Sequence, residues 1–155
     1  MRISELITIG GVCLLIGVPV TAQTRADLSG TWEWQGAEGV SRDGVKGPVR
    51  VLEVSGGAFN CGRLCTIVQS SRAITISRPA DEKGPKHQDV VLTFTGPSGD
   101  VHAQWDRDKL LVTNSVGMIT TKQTIARQGN KLIVTSLVAA PGVDASPVVQ
   151  TYIKK

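Results

Sequence analysis

The sequence offers little to do chemistry with. It contains two histidines, His87 and His102, three cysteines, two phenylalanines and one tyrosine in 155 residues. Beyond residue 22 there is no long apolar run and no convincing helical period. What is scarce rules out several classes. No set of nucleophile, base and orienting group can be assembled, so the chain is not expected to be an enzyme. Gly96-Pro97-Ser98-Gly99 lacks the strand–turn–helix context of a nucleophile elbow. Gly39, Gly44 and Gly47 precede no helix, so they are no phosphate cradle. No cofactor is expected. The net charge is only +4, and Lys and Arg are scattered from Arg25 to Lys155. Nucleic-acid binders gather such residues on one face, so no nucleic-acid partner is expected.

Metal and redox roles are weighed in the same way. Cys61, Cys65, His87 and His102 would make a soft, copper-type site only with both thiols reduced. Cys61-Gly62-Arg63-Leu64-Cys65 is a Cys-x-x-x-Cys without the spacing or βαβ setting of a redox motif. Asp106 and Asp108 flank Arg107 in a turn, where aspartate is ordinary. No metal site is expected. In an oxidising compartment a Cys61–Cys65 disulfide is the default. Gly62 supplies the backbone freedom a tight ring needs. So short a ring adds only about 2 kcal/mol, so the bridge is expected to pin a local turn.

What is present begins with an address. Arg2 precedes an uncharged run from Leu6 to Val20. Pro19 breaks it, and Val20-Thr21-Ala22 offers small residues for cleavage. This is the layout of a secretory signal. It is shorter than the roughly 20 apolar residues of a membrane-spanning helix. The expectation is a signal peptide at 1–22, cleaved after Ala22, and a secreted or periplasmic mature chain without stable membrane insertion. Residues 23–155 suit one domain of about 100–150 residues.

That domain reads with a period of two. Gly30–Trp34 puts Trp32 and Trp34 on one face. Val49–Val54 is a second run. Cys65–Val68 and Ala73–Ser77 flank a Gln69–Arg72 turn. Further runs are Asp89–Thr95, Val101–Trp105, Lys109–Thr113, Ile119–Ala126, Lys131–Leu137 and Val148–Ile153. Two longer stretches, 35–48 and 79–88, read as loops. Short strands dense in Val, Ile and Thr, joined by Gly, Asn, Asp, Ser and Pro, indicate an all-β barrel or sandwich. An antiparallel up-and-down barrel of about 8–9 strands is favoured, because closure removes exposed edges. The alternative is a β-sandwich. Expected interior positions are Trp32, Trp34, Ile74, Ile76, Val90, Leu92, Phe94, Ala103 and Trp105.

Two segments carry a resemblance. Leu28-Ser29-Gly30-Thr31-Trp32-Glu33 opens the domain, and Ala103-Gln104-Trp105-Asp106-Arg107-Asp108-Lys109-Leu110-Leu111-Val112-Thr113 comes later. Together they resemble small secreted lipocalin-like (calycin-type) β-barrel proteins of soil bacteria, whose function is generally unassigned. Arg107 stands where those proteins have a turn glycine, and Cys61 and Cys65 are outside their pattern. The resemblance implies a single lipocalin-like barrel over 23–155. It also implies that Trp32 closes one barrel end beside a cation, which Arg127, Lys154 or Lys155 would supply.

The expected function is binding of a small apolar or amphipathic ligand by the inward aromatics Trp32, Trp34, Phe94 and Trp105. The alternative is a protein-interaction or protease-inhibitor-like module acting through 35–48 and 79–88.

Overall fold

The computed structural model describes residues 25–40, 46–48, 57–80, 87–142 and 146–155. The chain is all-β. Its strands are β1 (Gly30–Val40), β2 (Lys46–Pro48), β3 (Leu64–Gln69), β4 (Ala73–Ser77), β5 (Val90–Thr93), β6 (Val101–Asp106), β7 (Lys109–Val116), β8 (Ile119–Gln128), β9 (Lys131–Ala139) and β10 (Val148–Lys154). They pair antiparallel in the order β5-β4-β3-β1-β10-β9-β8-β7-β6, and β2 folds back on β1. The sheet curls into a nearly closed up-and-down barrel, as the alternating pattern predicts. The first and last strands are hydrogen-bonded neighbours, Trp32 opposite Lys154 and Glu33 opposite Ile153. The open seam lies instead between β5 and β6.

The seam follows from parity. Nine strands alternate in direction along the pairing path, so the ninth runs the same way as the first. β5 and β6 are therefore parallel, and a tight hairpin cannot join them. Residues 94–100 must carry the chain back along the barrel wall. Seven residues reach roughly 23 Å when extended, enough to retrace a strand the length of β6. Ser98 bonds to Val101 in both directions, 2.9 and 3.2 Å, so the connector lies against the β6 edge.

Alternation decides which side chains face inward. The buried core includes Trp32, Ile67, Ile74, Ile76, Leu92, Ala103, Leu110, Val112, Ile125, Leu132, Val134 and Tyr152. Trp34, Val90, Phe94 and Trp105 pack against it. All nine expected interior positions face that core. The pairing slips by one residue between Trp34 and Gly36. This bulge hands the inward position to Ala37, which is buried.

One stretch differs from its sequence reading. The loop reading of 35–48 is overturned at both ends: Gln35–Val40 extends β1 and Lys46–Pro48 forms β2. Ala37 and Glu38 pair with β10, and Gly39 pairs with Gly47 of β2. Partners on both sides outweigh the weak strand preference of Gly36 and Gly39. The proposed signal segment, Val49–Val54 and residues 81–86 lie outside the described residues. Among the described residues, no helix is long and apolar enough to cross a membrane.

Candidate ligand site

One end of the barrel is sealed. Residues 25–29 cross it, held by several bonds. The Leu28 N–H donates to Gln69 Oε1 at 2.9 Å, and Gln69 Nε2 donates to the Ala26 carbonyl at 3.0 Å. Arg127 Nη1 donates to the Asp27 carbonyl at 2.7 Å. Beneath this cap Trp32 is fully buried, and its indole N–H donates to the Leu28 carbonyl at 2.9 Å. Lys154 Nζ lies 5.8 Å from the Trp32 ring centroid. Of the three candidate cations, Lys154 is the one stacked on Trp32. Arg127 holds the cap, and Lys155 pairs with Glu33 at 3.1 Å.

The same contact explains Gly30. A Cβ there would come within 2.5 Å of Lys154 Cε, and φ is +135°. Only glycine lets the lysine stem cross the strand and reach the ring.

Asp27 completes the cap. Its Oδ1 accepts the Ser29 N–H at 2.9 Å. That backbone bond, then the Ser29 hydroxyl, then the charges of Lys154 and Arg127 hold the Asp27 carboxyl below its ordinary value.

The middle of the barrel is filled by its own chain. Phe59 is buried in the core cluster. Gln123, 3% exposed, accepts the Phe59 N–H at 2.8 Å and donates to the Phe59 carbonyl at 3.0 Å. Its Nε2 also reaches Ser136 Oγ at 3.2 Å. The side-chain amide thus pairs with the Phe59 peptide as a strand would. Gly57 fits because a Cβ there would approach Gln123 Nε2 to 2.7 Å.

Two residues on, Cys61 is bonded to Cys65 on β3, with Cα atoms 5.0 Å apart. Gly62 takes a φ of +59° in the intervening turn. The disulfide therefore pins the expected turn, and both sulfurs are buried. It also tethers the inward segment 57–61 to the wall, a role the spacing did not reveal.

Among the described residues, a cleft opens where the seam meets the end opposite the sealed one. It has a volume of about 340 Å³. One wall is Val90, Val91 and Leu92 at the β5 edge, the other Val101 of β6 with Ser98 of the connector. Asn60, Arg78 and Asn114 add polar groups. The lining is therefore apolar along the strands and polar at three convergent side chains. This is the mix that holds a small molecule and orients it.

The four expected ligand residues fall in three places, and none of them lines the cleft. Trp32 belongs to the sealed end. Phe94 and Trp105 meet edge-to-face across the seam, with ring centroids 5.9 Å apart. Arg25 lies 5.4 Å from the Phe94 centroid. These two rings follow the cleft residues Leu92 and Val101 along the inner faces of β5 and β6. Trp34 stands on β1, its backbone N–H donating to the Arg63 carbonyl at 2.9 Å. His102 points outward, as its alternation predicts. Among the described residues no group of three or more His, Cys, Asp or Glu is placed to hold a metal. Sequence reasoning missed Gln123, Asn60, Arg78 and Asn114.

No family model matches the chain, and no curated protein does. Among solved structures the chain is similar to a single-residue mutant of the fluorescent protein UnaG, with 17% identity. The match covers 83% of this chain and 96% of that one, with a TM-score of 0.49. The architecture stands on the strand pairing alone.

Proposed function

We propose that this is an exported binding protein that takes a small amphipathic molecule in the seam cleft. The observation that carries this reading is the cleft itself, with Val90, Leu92 and Val101 along its walls and Asn60, Arg78 and Asn114 converging on it. The apolar walls would take the body of the molecule and the three polar side chains its head. A volume of about 340 Å³ lies at the small end of ligand sites.

Native mass spectrometry against a panel of amphiphiles, with Val101→Trp as the blocking variant, tests the reading. A retained adduct in the parent and none in the filled variant is expected. Equal adducts in both would place binding elsewhere.

Export would use residues 1–22 as a signal cleaved after Ala22, leaving the domain at 23–155. The buried Cys61–Cys65 disulfide is compatible with that oxidising destination. Sequencing of exported material should begin at Gln23.

A second reading keeps a protein-interaction module. It is favoured by Val116, Met118 and Ile119, exposed at the β7–β8 tip. That tip lies at the same barrel end as the boundaries of 35–48 and 79–88. A pull-down that loses its partner on Met118→Ser and Ile119→Ser, with ligand binding intact, would select it.

A further inference from the structure

Strand alternation defines the outer wall as well as the core. On β8, Thr121, Gln123 and Ile125 are buried, so Lys122, Thr124 and Ala126 face outward. On β9, Leu132, Val134 and Ser136 are buried, so Ile133, Thr135 and Leu137 face outward. The water-facing side of an antiparallel sheet is normally polar, and β6 complies with His102, Gln104 and Asp106. The wall from β7 to β10 does not. Its ladder aligns Leu111, Thr124, Thr135 and Val149 in one row across four strands. The next row is Ala126, Ile133 and Thr151. Leu137 flanks these rows on one side and Ile153 on the other. None of these residues is charged, and each keeps part of its surface exposed.

Charges stand around this face, sorted by sign. Lys109 on β7 and Lys122 on β8 lie on one side. Glu38 lies on the other, on β1 beside Val149. All three are exposed and make no hydrogen bond or ion pair among the described residues. β9 is the middle strand of the five from β7 to β1. Half a turn about an axis along β9 therefore lays β7 of one copy over β1 of another. Along the strands, Glu38 falls between the levels of Lys109 and Lys122. The lysines of each copy then meet the glutamate of the other, the self-complementarity that a twofold contact requires.

We propose that the outer wall from β7 to β1 is a homodimer interface, covered by a second copy of this chain about a twofold axis along β9. Five strands about 4.8 Å apart and four rows about 6.7 Å apart give a face of about 640 Å² per copy. A pair would cover about 1,300 Å², above the roughly 1,000 Å² of a specific interface. The aliphatic and threonine rows form the centre, and charge is confined to the rim, the division found in protein interfaces. The wall curves away at β7 and β1, where the long side chains of Lys109 and Glu38 bridge the widening gap. The rim pairs select the partner and its orientation more than they add affinity. The face excludes both seam strands, β5 and β6. Each copy therefore keeps its own cleft, and this inference goes beyond the seam-cleft reading without resting on it.

Sedimentation equilibrium of the purified protein tests it. The parent should form a dimer that dissociates on dilution. T135R puts an unpaired charge at the centre and should weaken the dimer at least about tenfold. The rim variants test the orientation. E38K makes both sides of the rim positive, and K109E with K122E makes both sides negative. Each should weaken self-association about tenfold, because like charges then face each other. Mixed in equal amounts, the two should recover a dimer with one chain of each.

A parent that stays monomeric up to about 1 mM overturns the proposal and leaves the face to a different partner. A dimer that T135R leaves intact overturns it too. So do rim variants that self-associate as the parent does, or that stay monomeric when mixed. If T135R does not fold, the rim variants, at exposed positions, decide the matter.

Discussion

Arg107→Gly should stabilise this protein, and the structure contains its own controls. Asp106 and Lys109 pair around Arg107-Asp108. Val116 and Ile119 pair around Gly117-Met118, and Gln128 and Lys131 around Gly129-Asn130. These three two-residue turns share one backbone pattern. The first central residue has positive φ, 56° at Arg107, 59° at Gly117 and 62° at Gly129, and the second does not. Positive φ at the first position alone is the type II′ pattern, which asks for glycine. Two turns comply. Arg107 does not, and a left-handed L-residue costs about 1–2 kcal/mol. Glycine's greater freedom in the unfolded chain returns about 0.5–1 kcal/mol of that. The Arg107 side chain is exposed and makes no hydrogen bond or ion pair among the described residues. The net gain should be about 0.5–1 kcal/mol, or a rise in Tm of about 2–4 °C for a domain of this size. Urea unfolding should show a higher midpoint at unchanged slope. The reverse changes, Gly117→Arg and Gly129→Arg, should each cost a similar amount. R107G at or below the parent, with G117R and G129R as stable as the parent, would refute the turn argument.

Three other outcomes follow from the sealed end and the disulfide. Gly30→Ala should lower stability by about 1–2 kcal/mol through its positive φ and its clash with Lys154. Adding Lys154→Ala should recover only the clash, read as non-additivity in a double-mutant cycle. Replacing Cys61 and Cys65 together by serine should cost about 2 kcal/mol on the chain-entropy account, measured by urea unfolding without reductant. The Asp27 carboxyl titrates below its unfolded value, near pH 3.9. Its contribution is therefore complete above that pH and fades as pH falls through the folded value. Asp27→Asn should be less stable than the parent at pH 7, and the difference should shrink in acid. A gap that widens below pH 4 would contradict the assignment.

Much of the fold was legible in the sequence because strand alternation and burial are the same fact. Ile74-Thr75-Ile76 and Val101-His102-Ala103 each declare an inner and an outer face. Gly-Asn and Gly-Met at the turns mark where the chain reverses. Trp32 was legible from its motif, but its cation was not. Arg127, Lys154 and Lys155 are equally basic, and only the register of β10 against β1 puts Lys154 over the ring. The site was less legible still. Gln123 lies in Lys122-Gln123-Thr124, where every residue is polar and alternation has no contrast to read. That the Gln123 amide would clasp the Phe59 peptide depends on a segment 64 residues away in sequence. Asn60, Arg78 and Asn114 come from three separate stretches and meet only because the barrel closes. The reading of 35–48 as a loop failed because glycine content was weighed without knowing that β1 has neighbours on both sides.

The odd strand number has a consequence for how the chain can be divided. The ladder joins the first strand to the last, and 94–100 is tied to it only at its two ends, by Phe94 N–H to the Arg72 carbonyl and by the Ser98–Val101 and Ser115–Asp100 bonds. A cut between Gly96 and Pro97 would therefore sever no strand pairing. It would give an N-terminal fragment with β1 to β5 and a C-terminal fragment with β6 to β10, their strand pairing running through β1 and β10. The barrel is in this sense already two complementary pieces joined by a strap. Its natural point for fragment reassembly, or for new termini once the present ones are fused, is the stretch beside the cleft.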